Sequence, residues 1–421
     1  MANSKKIRVQ DLADLYKQCA GIDVHKESLS VCVIQPVAPG QPEGEVRAYG
    51  TTTRELRELT AWLKQRGVTH VAMESTGVYW VPVWQILEEG EFQLVLANAR
   101  AVRNVPGKKT DTADCVWLAT LLRKGLIQAS YIPPAEIRAL RDLCRAHSTL
   151  VRERVRVVQR LQALLETANL KLDSVISDLL GKSGRQMLDA LAQGETDPGK
   201  LAALALGRMR SKRKELVAAL EGHLRPHQKF LLQQGLVHFD QLNGQIDQLR
   251  EQIEQYVRPF EAAVTQLAQM PGLERLSATK LLAETGADLQ AFPSPERFCS
   301  WAAVCPGNRR SAGKQRSGRT RQGNPWLRST ATECAWAASR SKNTYFHAQY
   351  HRLAPRIGKN RAILAVAHSM LYVTWHLLRR QVPFQDLGGD YFQSINQAGQ
   401  AKACLRKLQK LGYKVTLEPT T

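Results

Sequence analysis

The sequence predicts an α/β domain with a mixed sheet at the amino terminus, followed by helices over most of the chain. Three patterns predict it. From Ala20 to Gly125, short apolar runs alternate with amphipathic stretches of helical period. From 134 to 260, apolar residues recur at helical spacing among many arginines. From 261 to 381 the helical pattern returns, interrupted by a glycine-broken cationic stretch. Residues 1–133, 134–260, 261–381 and a basic tail, 382–421, are thus the expected divisions.

In the first division, Ala20–Val24 and Ser28–Gln35 read as strands around a polar turn, and "EVRAYGTT" as a third. Residues Thr53–Gln65 read as a helix, with Leu56, Leu59, Trp62 and Leu63 on one face. "VTHVAMEST" is a strand, Tyr79–Glu89 a helix and "FQLVLAN" a strand. Thr112–Lys124 is a helix closed by Gly125. In the second, "LRDLCRAHSTLVRERVRVVQRLQALLETANL" is a long basic helix, and "GETDPGK" at Gly194–Lys200 a loop. Phe239, Leu242, Ile246, Leu249, Ile253 and Tyr256 form a short a/d seam, suited equally to a dimer or to a hairpin within the chain. In the third, "MPGLERLSATKLLAETG" looks like a helix-hairpin-helix element whose helix amino terminus could hold a phosphate. The tail promises a basic helix and a strand.

Lys and Arg number 59 against 38 Asp and Glu, a formal charge of +21, which favours a polyanionic partner. The eight cysteines show no C-x-x-C pair, so reduced, buried thiols are expected rather than zinc or disulfides. The first residues lack the apolar core of a signal peptide. Ala362–Leu378 carries no Asp, Glu, Lys or Arg, but is short for a membrane span and reads as a buried helix. "GKSG" at Gly181–Gly184 is no P-loop, since Ile176 stands where the first glycine is required.

Two places carry chemistry. Asp23 lies inside an apolar strand, Glu74 ends another, and Asp111 and Asp114 head a helix. An isolated carboxylate beside a sheet core is unfavourable unless it pairs or binds a cation. Four such oxygen donors suit Mg²⁺ or Mn²⁺. Taken alone, Asp111 and Asp114 read as an N-cap and an N3 residue; the four acids taken together point to a metal site, and capping and metal binding are compatible. The second place is Pro306–Thr332, with seven basic residues (Arg309, Arg310, Lys314, Arg316, Arg319, Arg321 and Arg328) and no acid. It reads as loops able to grip phosphates, or as a basic loop with electrostatic affinity alone. Lys108 and Lys109 extend the basic set beside Asp111.

"GIDVHK" at Gly21–Lys26, "MESTGVYW" at Met73–Trp80 and "KTDTADCVWLATLL" at Lys109–Leu122 resemble the three motifs of the DEDD transposases of insertion sequences. The resemblance extends over nearly the whole chain, including "DLGGDYF" at Asp386–Phe392. It implies an RNase H-like (RuvC-like) amino-terminal domain, a helical coiled-coil middle and a mostly α carboxy-terminal transposase domain. It places the tetrad, and its metal, on Asp23, Glu74, Asp111 and Asp114. It places the family's nucleophilic serine on Ser311, with Ser317 as the rival, and implies a transient 5′-phosphoserine. A serine hydroxyl needs a base or a metal, and the basic stretch holds neither His nor acid, so both domains are expected to meet over one scissile phosphate. The implied partners are donor and target DNA, a structured non-coding guide RNA (the bridge RNA) and further copies of the chain as dimer or tetramer, in the bacterial cytoplasm and away from membranes. No helix with a base-reading pattern stands out, which agrees with sequence choice by base pairing. The alternatives are a metal-dependent nuclease or junction resolvase with Ser311 structural, and a non-catalytic nucleic-acid-binding protein.

Overall fold

The structure, a computed structural model, describes residues 14–38, 41–74, 77–98, 111–307, 309–311, 314–317, 320, 323–395 and 405–414. The chain forms two compact units, Met1–Ile132 and Pro133–Thr421.

In the first unit the alternating pattern becomes one mixed sheet, as expected. Its strands β1 (Cys19–Val24), β2 (Ser28–Ala38), β3 (Gln41–Gly50), β4 (His70–Glu74) and β5 (Gln93–Ala97) lie in the order β3-β2-β1-β4-β5. β1, β2 and β3 pair antiparallel, with Asp23 opposite Ser30. β4 joins β1 in parallel with Ile22 beside Met73, and β5 joins β4 in parallel with Glu74 beside Ala97. This order and mix are consistent with an RNase H-like domain.

The period of two divides the sheet into two faces. Ala20, Ile22, Val24, Val71 and Met73 share a core with Leu56, Leu59 and Leu63 of α1 (Thr53–Gln65) and Val83 and Leu87 of α2 (Trp80–Glu88). α1 begins and ends where its periodicity predicts. Thr52 and Glu55 form a reciprocal capping box at its start, worth about 1 kcal/mol. Cys19, Cys32 and Ala72 face the other way, under Cys115, Ala119 and Leu122 of α3 (Asp111–Arg123). Gly21 is on this face too. A β-carbon there would overlap the Cys115 carbonyl oxygen and the Ala119 nitrogen, so glycine is what lets α3 lie directly on β1.

The second unit opens with α4 (Ala135–Thr167), which starts after Pro133 and Pro134. It runs antiparallel to α6 (Pro226–Tyr256), because Thr167 meets Gln228 at 3.1 Å while Arg154 meets Asn243 at 2.9 Å. The side chain of Leu161 fills the space that Gly235 leaves open. Of the expected seam, Leu242, Ile246 and Ile253 are buried, Phe239 and Leu249 half-buried and Tyr256 exposed. The seam packs on α4, within the chain. α5 (Lys182–Gln193) and two short helices add Met187, Leu188, Leu191, Leu201 and Leu216 to the core around Leu161, Leu165 and Leu232. One of those short helices, Pro198–Ala203, starts inside the stretch expected as a loop. Asp197 caps it, accepting from the Gly199 nitrogen at 2.8 Å, and Pro198 suits the first helical position.

Among the described residues, the regular structure in the rest of the unit is helical apart from one hairpin. A helix at Glu261–Leu267 turns at Gly272 into α7 (Arg275–Thr285), followed by α8 (Pro295–Trp301). Gly272 has φ +82° and lies against the backbone of Cys334 and Ala338, where no side chain fits. The cationic stretch, expected as loops, contains the antiparallel strands β6 (Arg309–Ser311) and β7 (Lys314–Ser317). A bridge between Pro306 and Thr320 closes the hairpin at its base, which the glycine-rich composition alone does not reveal. α9 (Pro325–Ala338), α10 (Tyr345–Ile357) and α11 (Lys359–Arg380) complete the unit. α11 contains Ala362–Leu378 and buries ten side chains, among them Val366, Met370 and Leu371, as expected of a core helix. Among the described residues, no helix is long and apolar enough to cross a membrane. The tail folds back at Asp386, whose Oδ1 accepts from the Tyr345 and Gly388 nitrogens at 2.9 and 2.7 Å.

Candidate active site

The four predicted acids all fall within the first unit. Asp23 and Glu74 follow Ile22 and Met73, which pair across β1 and β4, so the acids occupy adjacent positions at the carboxy-terminal ends of parallel strands. Both fall on the α3 face, two residues beyond Gly21 and Ala72 respectively. Asp23 is 9% exposed and Glu74 half-buried. Asp111 begins α3, and its carboxylate lies outside the described residues. Asp114, one turn on, is half-buried.

Electrostatics ties β1 to α3. Burial pushes the Cys115 thiol up, and the carboxylates of Asp23 and Asp114 add to the rise. Asp23 on the strand and Asp114 on the helix therefore act on the same sulfur. Asp23 Oδ2 also lies 3.1 Å from His25 Nε2. Sequence pattern alone does not single out His25. The signal it does carry is i+2 spacing from Asp23 across the end of β1.

The basic set divides differently. Arg309 and Arg310 lie on β6, Lys314 and Arg316 on β7, and half-buried Arg328 in the first turn of α9. Ser311 ends β6 opposite Lys314, while Ser317 on β7 pairs with Arg309. The two candidate serines are thus at opposite ends of the hairpin. Lys108, Lys109, Arg319 and Arg321 lie outside the described residues. Beside the Pro271–Gly272 turn is a cleft of about 630 Å³ whose lining includes Ser277, Glu274 and Glu333. Those two acids put negative charge where the helix-hairpin-helix reading expects a phosphate. Of the cysteines, Cys19, Cys32, Cys115, Cys144, Cys299 and Cys334 are free and buried and Cys305 free and half-buried, while Cys404 lies outside the described residues.

Residues 20–170 match a family model of transposases, the DEDD type of IS110, and residues 264–351 match the model described as the transposase IS116/IS110/IS902 family. The chain belongs to the IS110 family of DEDD transposases. It is 25% identical to y4qE of Sinorhizobium fredii, named as a transposase, over 86% of this chain and 80% of the relative. It is 24% identical to a Pseudomonas aeruginosa protein named as a family 20 transposase, over 75% of this chain and 85% of the relative.

As a DEDD transposase the protein cuts and rejoins DNA, and its family suggests use of a divalent metal. The residues fit such an ion by their chemistry: the four acids offer only carboxyl oxygens, and Asp23 is buried at a sheet end. Among the described residues, no three Asp, Glu, His or Cys side chains lie together as a complete metal cluster. The Asp111 carboxylate is not in that set.

Proposed function

We propose that this transposase opens DNA strands with Ser311 as nucleophile and with Asp23, Glu74, Asp111 and Asp114 as the oxygen donors for Mg²⁺ or Mn²⁺. The observation that carries the reading is the placement of Asp23 and Glu74 side by side under the helix that bears Asp111 and Asp114. A bound divalent ion would supply a Lewis acid for the phosphodiester. The chain supplies the rest. Ser311 Oγ bonds to phosphorus, the P–O3′ bond breaks, and the serine proton passes by way of a base to the departing 3′ oxygen, which leaves as a hydroxyl. The product is a 5′-phosphoserine, and rejoining is attack by another 3′ hydroxyl on that ester. Arg309, Arg310, Lys314, Arg316, Arg319, Arg321 and Arg328, with Lys108 and Lys109, hold phosphates. They stabilise the charge that grows on phosphorus but cannot accept the serine proton.

Donor and target DNA are the substrates. The reading includes a structured guide RNA that selects them by base pairing and a homo-oligomer that brings several active sites together. The formal charge of +21 supports a partner set of this kind. The division of the chain into an RuvC-like domain, a coiled-coil middle, a transposase domain and a tail belongs to the same proposal.

The test uses full-length protein, the RNA that co-purifies with it, and DNA matching that RNA. A covalent protein–DNA adduct should form with Mg²⁺ and disappear on chelation. It should vanish in Ser311→Ala while persisting in Ser317→Ala. Asp23→Asn should lose cleavage and retain DNA binding. Cleavage at the wild-type rate by Ser311→Ala would overturn the serine route.

A further inference from the structure

We propose that Glu284 is a positioning residue for the basic hairpin, and that it works by holding Asn324, where the hairpin segment re-enters the helical frame. The proposal rests on the reading of Ser311 as nucleophile. Glu284 is the penultimate residue of α7 and is 3% exposed. Arg145 of α4 grips it with both arms, Nε to Oε1 at 2.7 Å and Nη2 to Oε2 at 2.8 Å. Arg141, one turn earlier, donates to the carbonyls of Ala283 and Glu284 at 2.9 and 2.8 Å, at the negative end of the α7 dipole. Glu284 Oε2 also accepts from Asn324 Nδ2 at 2.5 Å.

Asn324 is bound at both ends of its amide. Its Oδ1 accepts from the Trp326 and Leu327 nitrogens at 3.0 and 3.2 Å and caps α9. The amide nitrogen goes to Glu284. The neighbouring Trp326 ring lies under the Arg152 guanidinium, whose centre is 4.6 Å from the ring centroid. Gly323 is pressed on Ala303, where an added β-carbon would come within 2.5 Å of the Ala303 β-carbon. The carboxy-terminal root of the segment that carries Ser311 is therefore anchored to α4, α7 and the end of α8 at once.

Capping α9 needs only the oxygen of Asn324, and a buried ion pair adds little net stability over an apolar filling. What the buried carboxylate adds is direction: it sets where α9 begins, and hence where the hairpin projects. A displacement of 1 Å in a reacting group can lower a rate by about 10²-fold.

The tie can be broken without removing the cap. Asn324→Asp keeps an oxygen for the α9 nitrogens but turns a carboxylate on Glu284. In the full-length protein, with guide RNA and matching DNA, single-turnover adduct formation below the melting transition should fall at least tenfold, with nucleic-acid affinity preserved and the melting transition lowered but still cooperative, because two carboxylates then share a buried site. Adding Glu284→Gln to Asn324→Asp returns a donor with reversed polarity; because Oε2 also accepts from Arg145 Nη2, the rescue should be partial, with the rate at least threefold above that of Asn324→Asp alone. Asn324→Ser, which caps but cannot reach Glu284, should fall like Asn324→Asp and guards against misfolding of one variant. An unchanged rate in Asn324→Asp and Asn324→Ser, or a double variant no better than Asn324→Asp, overturns the proposal. Failure of the serine reading looks different: Ser311→Ala then retains the adduct, whatever the Asn324 variants do.

Discussion

Replacing His147 by leucine should flatten the acid sensitivity of the helical unit. His147 is 2% exposed on α4, and neither ring nitrogen has a hydrogen-bond partner among the described residues. Burial pushes its pKa down to about 4, helped by Lys280, Arg250 and Arg154 and opposed by Asp247. In the unfolded chain the same ring titrates near 6.5. The folded form therefore binds the proton less readily, so its stability is complete above 6.5 and falls as pH drops toward 4. Linkage over that interval removes about 2 kcal/mol by pH 5 and about 3 kcal/mol by pH 4. Leucine removes this titration together with two unpaired polar atoms, so at pH 7.5 the variant should be within about 1 kcal/mol of wild type. Urea unfolding followed by circular dichroism at pH 7.5 and pH 5 measures the difference. Groups common to both proteins cancel, and the gap should move about 2 kcal/mol in favour of His147→Leu on acidification. Parallel pH profiles would refute the assignment of a neutral, desolvated imidazole.

Gly21→Ala should separate α3 from β1, because the new methyl would meet the Cys115 carbonyl oxygen and lie 3.0 Å from the Ala119 α-carbon. Overpacking of this kind costs about 1–3 kcal/mol, and since α3 carries Asp111 and Asp114 the loss of DNA cleavage should exceed what the melting shift explains. Ile246→Ala should lower stability by about 2–5 kcal/mol. Because Ile246 is 1% exposed against the chain's own helices, the shift should not depend on protein concentration, as dilution series of the melting transition would show.

The parts of this fold that were legible in sequence are those decided locally. α1 was readable to the residue because Leu56, Leu59, Trp62 and Leu63 keep helical period. Asp23 stood out because an acid between Ile22 and Val24 contradicts its strand unless it has a task. The Pro198 helix looks like a loop in sequence because Asp, Pro and Gly serve turns and helix starts alike. The basic hairpin is not legible in sequence because Gly and Lys are depleted in strands, and the closing pair, Pro306 and Thr320, is too far apart for a turn signature. Nothing local marks Glu284 as different from any acid on a helix. Its partners, Arg145 and Asn324, are 139 and 40 residues away and appear only once the chain has folded.

The match to the first family model runs to residue 170, whereas the first compact unit ends at Ile132. The matched stretch thus contains all of α4 as well as the acids of the sheet. α4 supplies Arg141 and Arg145 to Glu284, and Glu284 belongs to the stretch matched by the second model, 264–351. The boundaries of sequence similarity and of folding therefore differ, and two fragments can separate them. A chain beginning at residue 133 keeps the grip on Glu284 and should unfold cooperatively. A chain beginning at residue 171 leaves a carboxylate buried without its guanidinium, a loss of about 3–5 kcal/mol before the apolar contacts of Leu161 and Leu165 are counted. Hydrogen exchange along Arg275–Thr285 reads this directly. Protection should persist in the first fragment and collapse in the second, and equal protection in both would show that α7 and the root at Asn324 hold their places without α4.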